Sequence, residues 1–518
     1  MAFINLGEWL ARRELLTPEK VGLIDSESGA RLSYRTLNLR TRALAARLTQ
    51  SYQISKGERV AVLAFNAPEY LDAFFACALL GAILVPLNWR LTVRELSEIV
   101  NDCEPKLLLH DLAHTQRAEE IANTLQKTPD ELPFFSFADF PGANAGLAAL
   151  AEPFETDDGE EPAVILYTSG TTGTPKGAML SHRMITWNAI NTQISWGLRE
   201  TDITPTFAPF FHAGGLNVLT TPLYHLGGTV VLLRTSDPRA ILRAIEQNHC
   251  TIVFAVPTVF QSMMEHPAFA TTDFSSVRFC ITGGSSCPLP IISGYAARGL
   301  EFRQGYGLTE VGVNCFSLAP ADAMRKAGSV GRPVFHSRAR VVDDEDRDVP
   351  GGEVGELVLA GPHVCSGYWR RPEATAEANR GGWWHTGDLA YCDTEGYFYI
   401  VGRKKDMFIS GGENIYPAEV EAVIATHPGV LEVAVIPQPD PRWGEVGLAV
   451  VVPRVPGSLS AEDILSYCTD KLARYKIPRT VCFTDALPRN IMGKVVKAAL
   501  VEQFAPPSGP THEQELGA

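Results

Sequence analysis

Tyr167-Thr168-Ser169-Gly170-Thr171-Thr172-Gly173-Thr174-Pro175-Lys176-Gly177 directly follows the apolar run Ala163–Leu166. The run has the composition of a buried strand. Three glycines in the eleven residues after it permit tight backbone turns, so that N–H groups can converge on an anion. The hydroxyls of Thr168, Ser169, Thr171, Thr172 and Thr174 are short donors, and Lys176 adds a positive charge. A strand running into glycines, hydroxyls and a lysine is a phosphate cradle by composition. It is not the P-loop, because the G-x-x-x-x-G-K-[ST] spacing cannot be written here. A flexible surface linker would not combine these three features.

Outward from this strand, apolar runs alternate with helical patterns. Arg59–Phe65, Lys106–His110, Val230–Leu233, Thr251–Ala255 and Val277–Ile281 read as strands, and Pro68–Leu80 as a buried helix. The alternation predicts an α/β architecture of largely parallel sheets. After Arg338 the texture changes to short strands, Arg338–Val342, Gly355–Ala360 and Gly396–Val401, broken by glycine turns, as in a compact β subdomain. A further α/β pattern follows: helix Pro417–Thr426, strands Val430–Ile436 and Gly447–Pro453, and helix Ala461–Leu472. We therefore expect a large N-terminal domain over 1–402, a hinge over 403–406 and a small α+β C-terminal domain over 407–504. The Pro/Gly/Ser-containing tail, 505–518, is expected to be disordered.

The 518 residues exceed what one hydrophobic core usually organises, so more than one domain is required. A net charge of −14 lacks the broad basic footprint of a nucleic-acid binder. Ten scattered cysteines form no zinc-ribbon spacing and no disulfide framework, which suits reduced thiols in the cytoplasm. The first twenty residues read as no signal peptide. The most apolar stretch, Ala73–Leu87, is too short for a membrane span and reads as a buried helix running into a strand. His110 and His114 have helical metal-ligand spacing but lack the glutamate of a zincin and any third ligand.

Four further stretches carry chemistry. In Gly305-Tyr306-Gly307-Leu308-Thr309-Glu310, flanking glycines let a flat ligand lie against the Tyr306 ring, and Thr309 and Glu310 offer oxygens of the kind Mg²⁺ accepts beside phosphates. In Thr386-Gly387-Asp388, a carboxylate beside glycine can grip ribose hydroxyls, although a solvated turn aspartate is the plainer reading of Asp388 alone. Gly402-Arg403-Lys404-Lys405-Asp406 with Ser410-Gly411-Gly412-Glu413-Asn414 lies on the domain boundary and is either an inert linker or a hinge. Pro488-Arg489-Asn490-Ile491-Met492-Gly493-Lys494 lies in a basic stretch that, alone, would be a solvated face.

Taken together and in this order, these stretches resemble the adenylate-forming superfamily of acyl- and aryl-CoA synthetases, nonribosomal adenylation domains and luciferases, from about Leu6 to about Phe504. The resemblance implies ATP and CoA as co-substrates, Mg²⁺ as cofactor and a carboxylic acid as substrate. It implies that Thr168, Ser169, Gly170, Thr171, Thr172, Gly173, Thr174 and Lys176 hold the β- and γ-phosphates. Gly283, Gly284 and Ser285 would line the adenine, with Tyr306 stacked on it beside Gly307. Thr309 would touch the α-phosphate, Glu310 would hold the metal, and Asp388 and Arg403 would bind the ribose. Lys494 would bridge the substrate carboxylate and the α-phosphate, making it catalytic together with Glu310, Thr168 and Lys176. Lys405 takes the hinge position, and Gly411, Gly412, Trp443 and Tyr475 resemble CoA-binding positions. A homodimer is the oligomer entertained.

By the same resemblance the acyl pocket is lined by His212, Ala213, Gly214, Phe254, Gly305, Gly312 and Val313. No acidic anchor for an amino group stands around Phe211–Gly214, and no carrier domain follows Lys494, so CoA is expected as the acceptor. The small residues predict a deep apolar slot for a medium-to-long fatty acid or an aromatic acid such as a hydroxycinnamate. An o-succinylbenzoate-type acid, or loading of a carrier protein, stays open. A luciferase-like oxygenase and a non-catalytic interaction protein rank last.

Overall fold

The strand Pro162–Thr168 exists because Ala163, Val164, Ile165 and Leu166 are all buried, as in a strand covered on both faces. In the computed structural model, which describes residues 5–140, 153–168, 175–285, 287–323, 325–326, 328–489 and 495–504, it belongs to a six-stranded sheet. The strand order is Phe134–Ser136, Leu107–His110, Arg59–Leu63, Ile83–Pro86, Pro162–Thr168, Lys176–Ser181. The first five are parallel, and the last is antiparallel to Pro162–Thr168. The alternation of strands and helices does not predict this reversal. Its cause is the short connection from Thr168 to Lys176, which leaves no room for a helical crossover. The stretch Ala73–Leu87 divides as expected into the end of helix Pro68–Leu80 and strand Ile83–Pro86.

A four-stranded sheet runs Arg31–Ser33, Val21–Asp25, Thr229–Leu232, Ile203–Thr206. A five-stranded sheet runs Ile252–Ala255, Phe279–Thr282, Phe302–Leu308, Gly312–Ser317, Arg332–Pro333. Here too the first pairs are parallel, and Gly312–Ser317 turns back antiparallel after a single 3₁₀ turn, Thr309–Val311. The helix His182–Trp196 packs on Gly312–Ser317. The Ser181 hydroxyl caps its N-terminus by accepting the Met184 N–H. Asn188 and Thr192, four residues apart, lie on one face of the helix. Asn188 donates to the Asn217 carbonyl (2.7 Å), and Asn314 donates to Thr192 Oγ1 (2.8 Å) and the Val218 carbonyl (3.0 Å). These buried bonds fix the helix, and its last residue Trp196, against the strand that follows Glu310.

The chain divides into two compact units. One comprises Met1–Arg340, Val358–Thr386 and Asp393–Phe398; the other comprises Val341–Leu357, Gly387–Cys392 and Tyr399–Ala518. The second unit holds a sheet ordered Glu413–Ile415, Phe408–Ser410, Gly444–Pro453, Val430–Asp440, with Thr480–Phe483 beside Gly444–Pro453. Helices Pro417–Ile424 and Ala461–Thr469 bury Val420, Ile424, Ile464 and Cys468 on one of its faces. The long hairpin Val430–Asp440/Gly444–Pro453 extends past the expected Val430–Ile436 and Gly447–Pro453, because Asp440 Oδ1 accepts the N–H groups of Arg442 and Trp443 and closes the turn. The expected tail, 505–518, lies outside the described residues. Among the described residues no helix is long and apolar enough to cross a membrane. All ten cysteines are free thiols.

His182, fully buried at the first turn of its helix, accepts the Leu6 N–H on Nδ1 (3.2 Å) and lies against the Phe154 ring. Burial holds its pKa down to about 4. A depressed folded-state pKa means that the neutral ring stabilises the fold fully above the unfolded-state value of about 6.5, and that this stabilisation is lost as pH falls toward 4. We predict that His182→Leu lowers stability at pH 7.5 but removes about 2 kcal/mol of the wild-type loss between pH 7.5 and 5.0. Urea unfolding at the two pH values checks this; an unchanged difference would contradict it.

Candidate active site

The hairpin Pro162–Thr168/Lys176–Ser181 brings Thr168 opposite Lys176, and the Thr168 hydroxyl donates to the Lys176 carbonyl (3.4 Å). The two predicted ends of the cradle are thus neighbours. Ser169, Gly170, Thr171, Thr172, Gly173 and Thr174 lie outside the described residues. Residues 365–369 run along the outer edge of Lys176–Ser181. Met179 donates its N–H to the Gly367 carbonyl (2.8 Å), and Trp369 donates to the Gly177 carbonyl (2.7 Å). This edge pairing sets Tyr368 under the Lys176 ammonium, 5.3 Å from the ring centroid.

The Tyr368 hydroxyl donates to Glu310 Oε1 (3.0 Å), so one ring serves both the cation and the carboxylate. Glu310 is buried in the 3₁₀ turn Thr309–Val311. Two hydrogen bonds and one glycine shape that turn. Cys365 donates its N–H to the Glu310 carbonyl (2.7 Å), buried His363 bonds the Val311 carbonyl through Nδ1, and Gly312 leaves the turn at φ +83°. A side chain is excluded at Gly307, where a Cβ would stand 2.4 Å from the Val313 backbone. Tyr306, one residue earlier, packs edge-on against Phe316 at 5.6 Å. Among the described residues no cluster of three or more His, Cys, Asp or Glu could hold a metal. A single buried carboxylate suits a hard cation that keeps waters and phosphate oxygens as its other ligands. His110 and His114 are absorbed by Asp111, which takes His114 Nδ1 at 2.6 Å on its carboxylate and His110 Nδ1 at 3.0 Å on its carbonyl.

Some of the residues predicted for the acyl pocket are neighbours. Phe254 stands 3.6 Å from where a Cβ on Gly214 would lie and 3.9 Å from one on Gly283, whose other neighbour is the Gly305 carbonyl. Phe254 and Val313 are part-exposed members of a cluster whose buried side chains include Trp196, Val218 and Ile281. His212 stands at the start of the short helix Ala213–Asn217 and packs against the Phe211 ring at 4.9 Å. Gly284, with Ser285 after it, leaves the strand Phe279–Thr282 at φ +84°. The Trp196 ring packs behind Gly305, its edge 3.2 Å from where a Cβ on Gly305 would lie.

In the second unit Asp388 and Arg403 are paired at 2.9 Å, with Asp388 buried and Arg403 part-exposed. Lys404 is tied to Asp344 (2.9 Å) and Glu356 (3.1 Å), while Lys405 is exposed. Burial works against the Lys404 ammonium, but its two carboxylate partners outweigh it and raise the pKa. Trp443 closes on Gly411, whose N–H donates to the Trp443 carbonyl (2.8 Å). Gly412 follows at φ +91°. Trp443 and Tyr475 are 37% and 42% exposed, unusual for rings of this size and available to a ligand. Lys494 lies outside the described residues.

The sequence model of the AMP-binding enzyme family matches residues 10–369, and that of the AMP-binding enzyme C-terminal domain matches residues 419–494. The chain belongs to the AMP-binding enzymes. It is similar to a feruloyl-CoA synthase of Amycolatopsis sp, 42% identical over 96% of this chain and 99% of that one. It is also similar to an indoleacetate–CoA ligase of Aromatoleum aromaticum, 40% identical over 95% and 97%. The solved o-succinylbenzoate coenzyme A synthetase of Bacillus subtilis, in complex with ATP and magnesium ion, superposes with a TM-score of 0.84 at 32% identity, covering 95% of this chain and 99% of that one.

Two residues of this AMP-binding enzyme's candidate site escaped the sequence reading. Tyr368 sits in Ser366-Gly367-Tyr368-Trp369, which reads as an ordinary turn; only edge pairing with a distant strand gives it a role. Trp196 reads as the apolar end of a helix. We predict that Tyr368→Phe weakens Mg²⁺-dependent nucleotide binding about tenfold, the effect of one lost hydrogen bond to a charged group, with little change in melting temperature. Calorimetric titration of nucleotide with and without Mg²⁺ checks it. Equal affinities in variant and wild type would contradict a role for the Tyr368–Glu310 bond.

Proposed function

We propose that this enzyme activates a compact aromatic carboxylic acid, of hydroxycinnamate or indole-acid size, and transfers it to CoA. The enzyme is an AMP-forming acid–thiol ligase: ATP drives formation of an acyl-adenylate, and the CoA thiol then displaces AMP. The observation that carries the reading is the Lys176–Tyr368–Glu310 array beside the nucleotide signature. The names of two relatives, a feruloyl-CoA synthase and an indoleacetate–CoA ligase, support the choice of acid.

A carboxylate is a poor acyl donor because hydroxide leaves badly, whereas AMP leaves well. Adenylation needs no side-chain nucleophile, so the work falls to alignment and to charge placed where charge develops. In this reading Thr168, Lys176 and the residues between them hold the phosphates. Glu310 would hold Mg²⁺, which when bound offsets the charge of the phosphate oxygens. Asp388 would take the ribose hydroxyls and Arg403 would hold Asp388 in place. Lys494 would meet both the acid and the α-phosphate. A free thiol, with a pKa of about 8.5, is already a few per cent thiolate at neutral pH, so CoA needs no dedicated base. Trp443, Gly411, Gly412 and Tyr475 would receive CoA, and Lys405 would allow the second unit to change its orientation between half-reactions. Ten free thiols fit a reducing cytoplasmic setting.

Two measurements test this. Pyrophosphate release with a graded set of acids, with and without CoA, should favour cinnamates and aryl acetates over hexadecanoate; preference for hexadecanoate would overturn the choice of acid. Lys494→Ala should slow adenylate formation by about 10²–10³ while sparing thioester formation from preformed acyl-adenylate. Equal loss of both steps would remove Lys494 from its assigned place.

A further inference from the structure

Neighbouring side chains on a strand point to opposite faces. On the hairpin Pro162–Thr168/Lys176–Ser181, Thr168 stands opposite Lys176 and Tyr167 opposite Gly177. Tyr368 pairs with Ala178 along the outer edge. One face of this ribbon therefore carries Thr168, Lys176 and Tyr368, the side chains assigned above to the nucleotide and its metal ligand. The other face carries Tyr167, Gly177 and Trp369. Gly177 is bare because that second face is filled. A Cβ there would stand 2.6 Å from the Ile165 side chain, 3.1 Å from the Tyr167 ring and 3.4 Å from Trp369.

The polar ends of both rings meet one residue of the helix Val93–Cys103. Asp102, in its last turn, accepts the Tyr167 hydroxyl on Oδ2 (2.5 Å) and Arg371 Nη2 on Oδ1 (2.8 Å). Its carbonyl accepts Trp369 Nε1 (3.3 Å) and Arg370 Nη1 (3.2 Å). A single residue thus holds the strand that ends in Thr168 and the segment that carries Tyr368. A carboxylate in the last turn of a helix lies at the negative end of the macrodipole, where it does not stabilise the helix. The helix end already has a cation of its own, Arg59, which donates to the Cys103 and Glu104 carbonyls (2.8 and 2.7 Å). The ribbon, not the helix, gains from the acid at 102. Burial raises the Tyr167 pKa, so its phenol stays a donor.

We infer that Asp102 is a positioning residue for adenylation: by tying Tyr167 to residues 369–371 behind the ribbon, it fixes Tyr368 on the front, where the ring meets Lys176 and Glu310. Its effect on a bound metal–nucleotide passes through the Tyr368 hydroxyl. This inference rests on the assignment of Glu310 to the metal.

The test is a double-mutant cycle of Asp102→Ala and Tyr368→Phe in the full-length enzyme, read by calorimetric titration with Mg²⁺ and a non-hydrolysable ATP analogue. Each single change should weaken binding about tenfold. The double variant should be within about twofold of Tyr368→Phe alone, because Asp102 then has no hydroxyl to place. Asp102→Asn should recover most of the affinity, since its amide can accept from Arg371 and donate to the Tyr167 oxygen. If Asp102→Ala does not fold, Arg371→Ala, at a side chain 40% exposed, takes its place in the cycle. Losses that multiply to about a hundredfold in the double variant would mean general damage and overturn the inference. An asparagine variant as weak as the alanine variant would overturn it too. So would an Asp102→Ala enzyme that binds like wild type while Tyr368→Phe is weakened, and that result would leave the Glu310 assignment standing. A Tyr368→Phe enzyme that binds like wild type would overturn both.

Discussion

A carboxylate taken out of water must be matched, and Glu310 is taken out of water. Its match is the Tyr368 hydroxyl, and much of the surrounding architecture can be read as the means of bringing that hydroxyl to it. Tyr368 arrives on a segment that pairs with the edge of the six-stranded sheet. Glu310 arrives on a turn in a different, five-stranded sheet. The same ring lies under Lys176, which closes the hairpin of the phosphate signature. One phenol thus joins two sheets, and it places a cation and a carboxylate on the same small region. A polyphosphate with a divalent cation needs that pair of charges near each other but not cancelling each other.

The supporting residues follow from the same need. Gly307 is bare because the backbone of Val313 leaves no room. Gly312 turns through a left-handed conformation so that the strand can return at once. His363 and the Asn188, Thr192 and Asn314 bonds satisfy polar groups beneath the turn, which keeps it rigid without exposing it to water. Rigidity matters here because electrostatic stabilisation is effective only when the groups are placed before the charge develops.

Much of this was legible in the sequence, for identifiable reasons. The strand that opens residues 167–177 shows as the apolar run Ala163–Leu166, and the glycines, hydroxyls and lysine after it are what point to a phosphate-binding reading. Helix Pro68–Leu80 and strand Ile83–Pro86 show as one apolar stretch with a glycine and a proline in it. Phe254 lies beside Gly214, two residues that the family resemblance groups together, and also beside Gly283, which it does not group with them. What stayed hidden depends on contacts between distant segments. Tyr368 reaches Glu310 across 58 residues, and Trp196 reaches Gly305 across a helix end and two strands. Nothing local to either aromatic distinguishes it from a core residue. The reversed strands Lys176–Ser181 and Gly312–Ser317 were missed because strand direction depends on the length of a connection rather than on the composition of the strand.

The central claim is that Glu310, held by Tyr368, is where the metal of a bound nucleotide sits, with the phosphates on the Thr168–Lys176 side. A crystal grown with Mn²⁺ and a non-hydrolysable ATP analogue, measured at the manganese absorption edge, tests it most directly. The account predicts an anomalous peak within about 2.2 Å of a Glu310 carboxylate oxygen, with the β- and γ-phosphates against Thr168 and Lys176. A nucleotide bound with its metal away from Glu310 would contradict it.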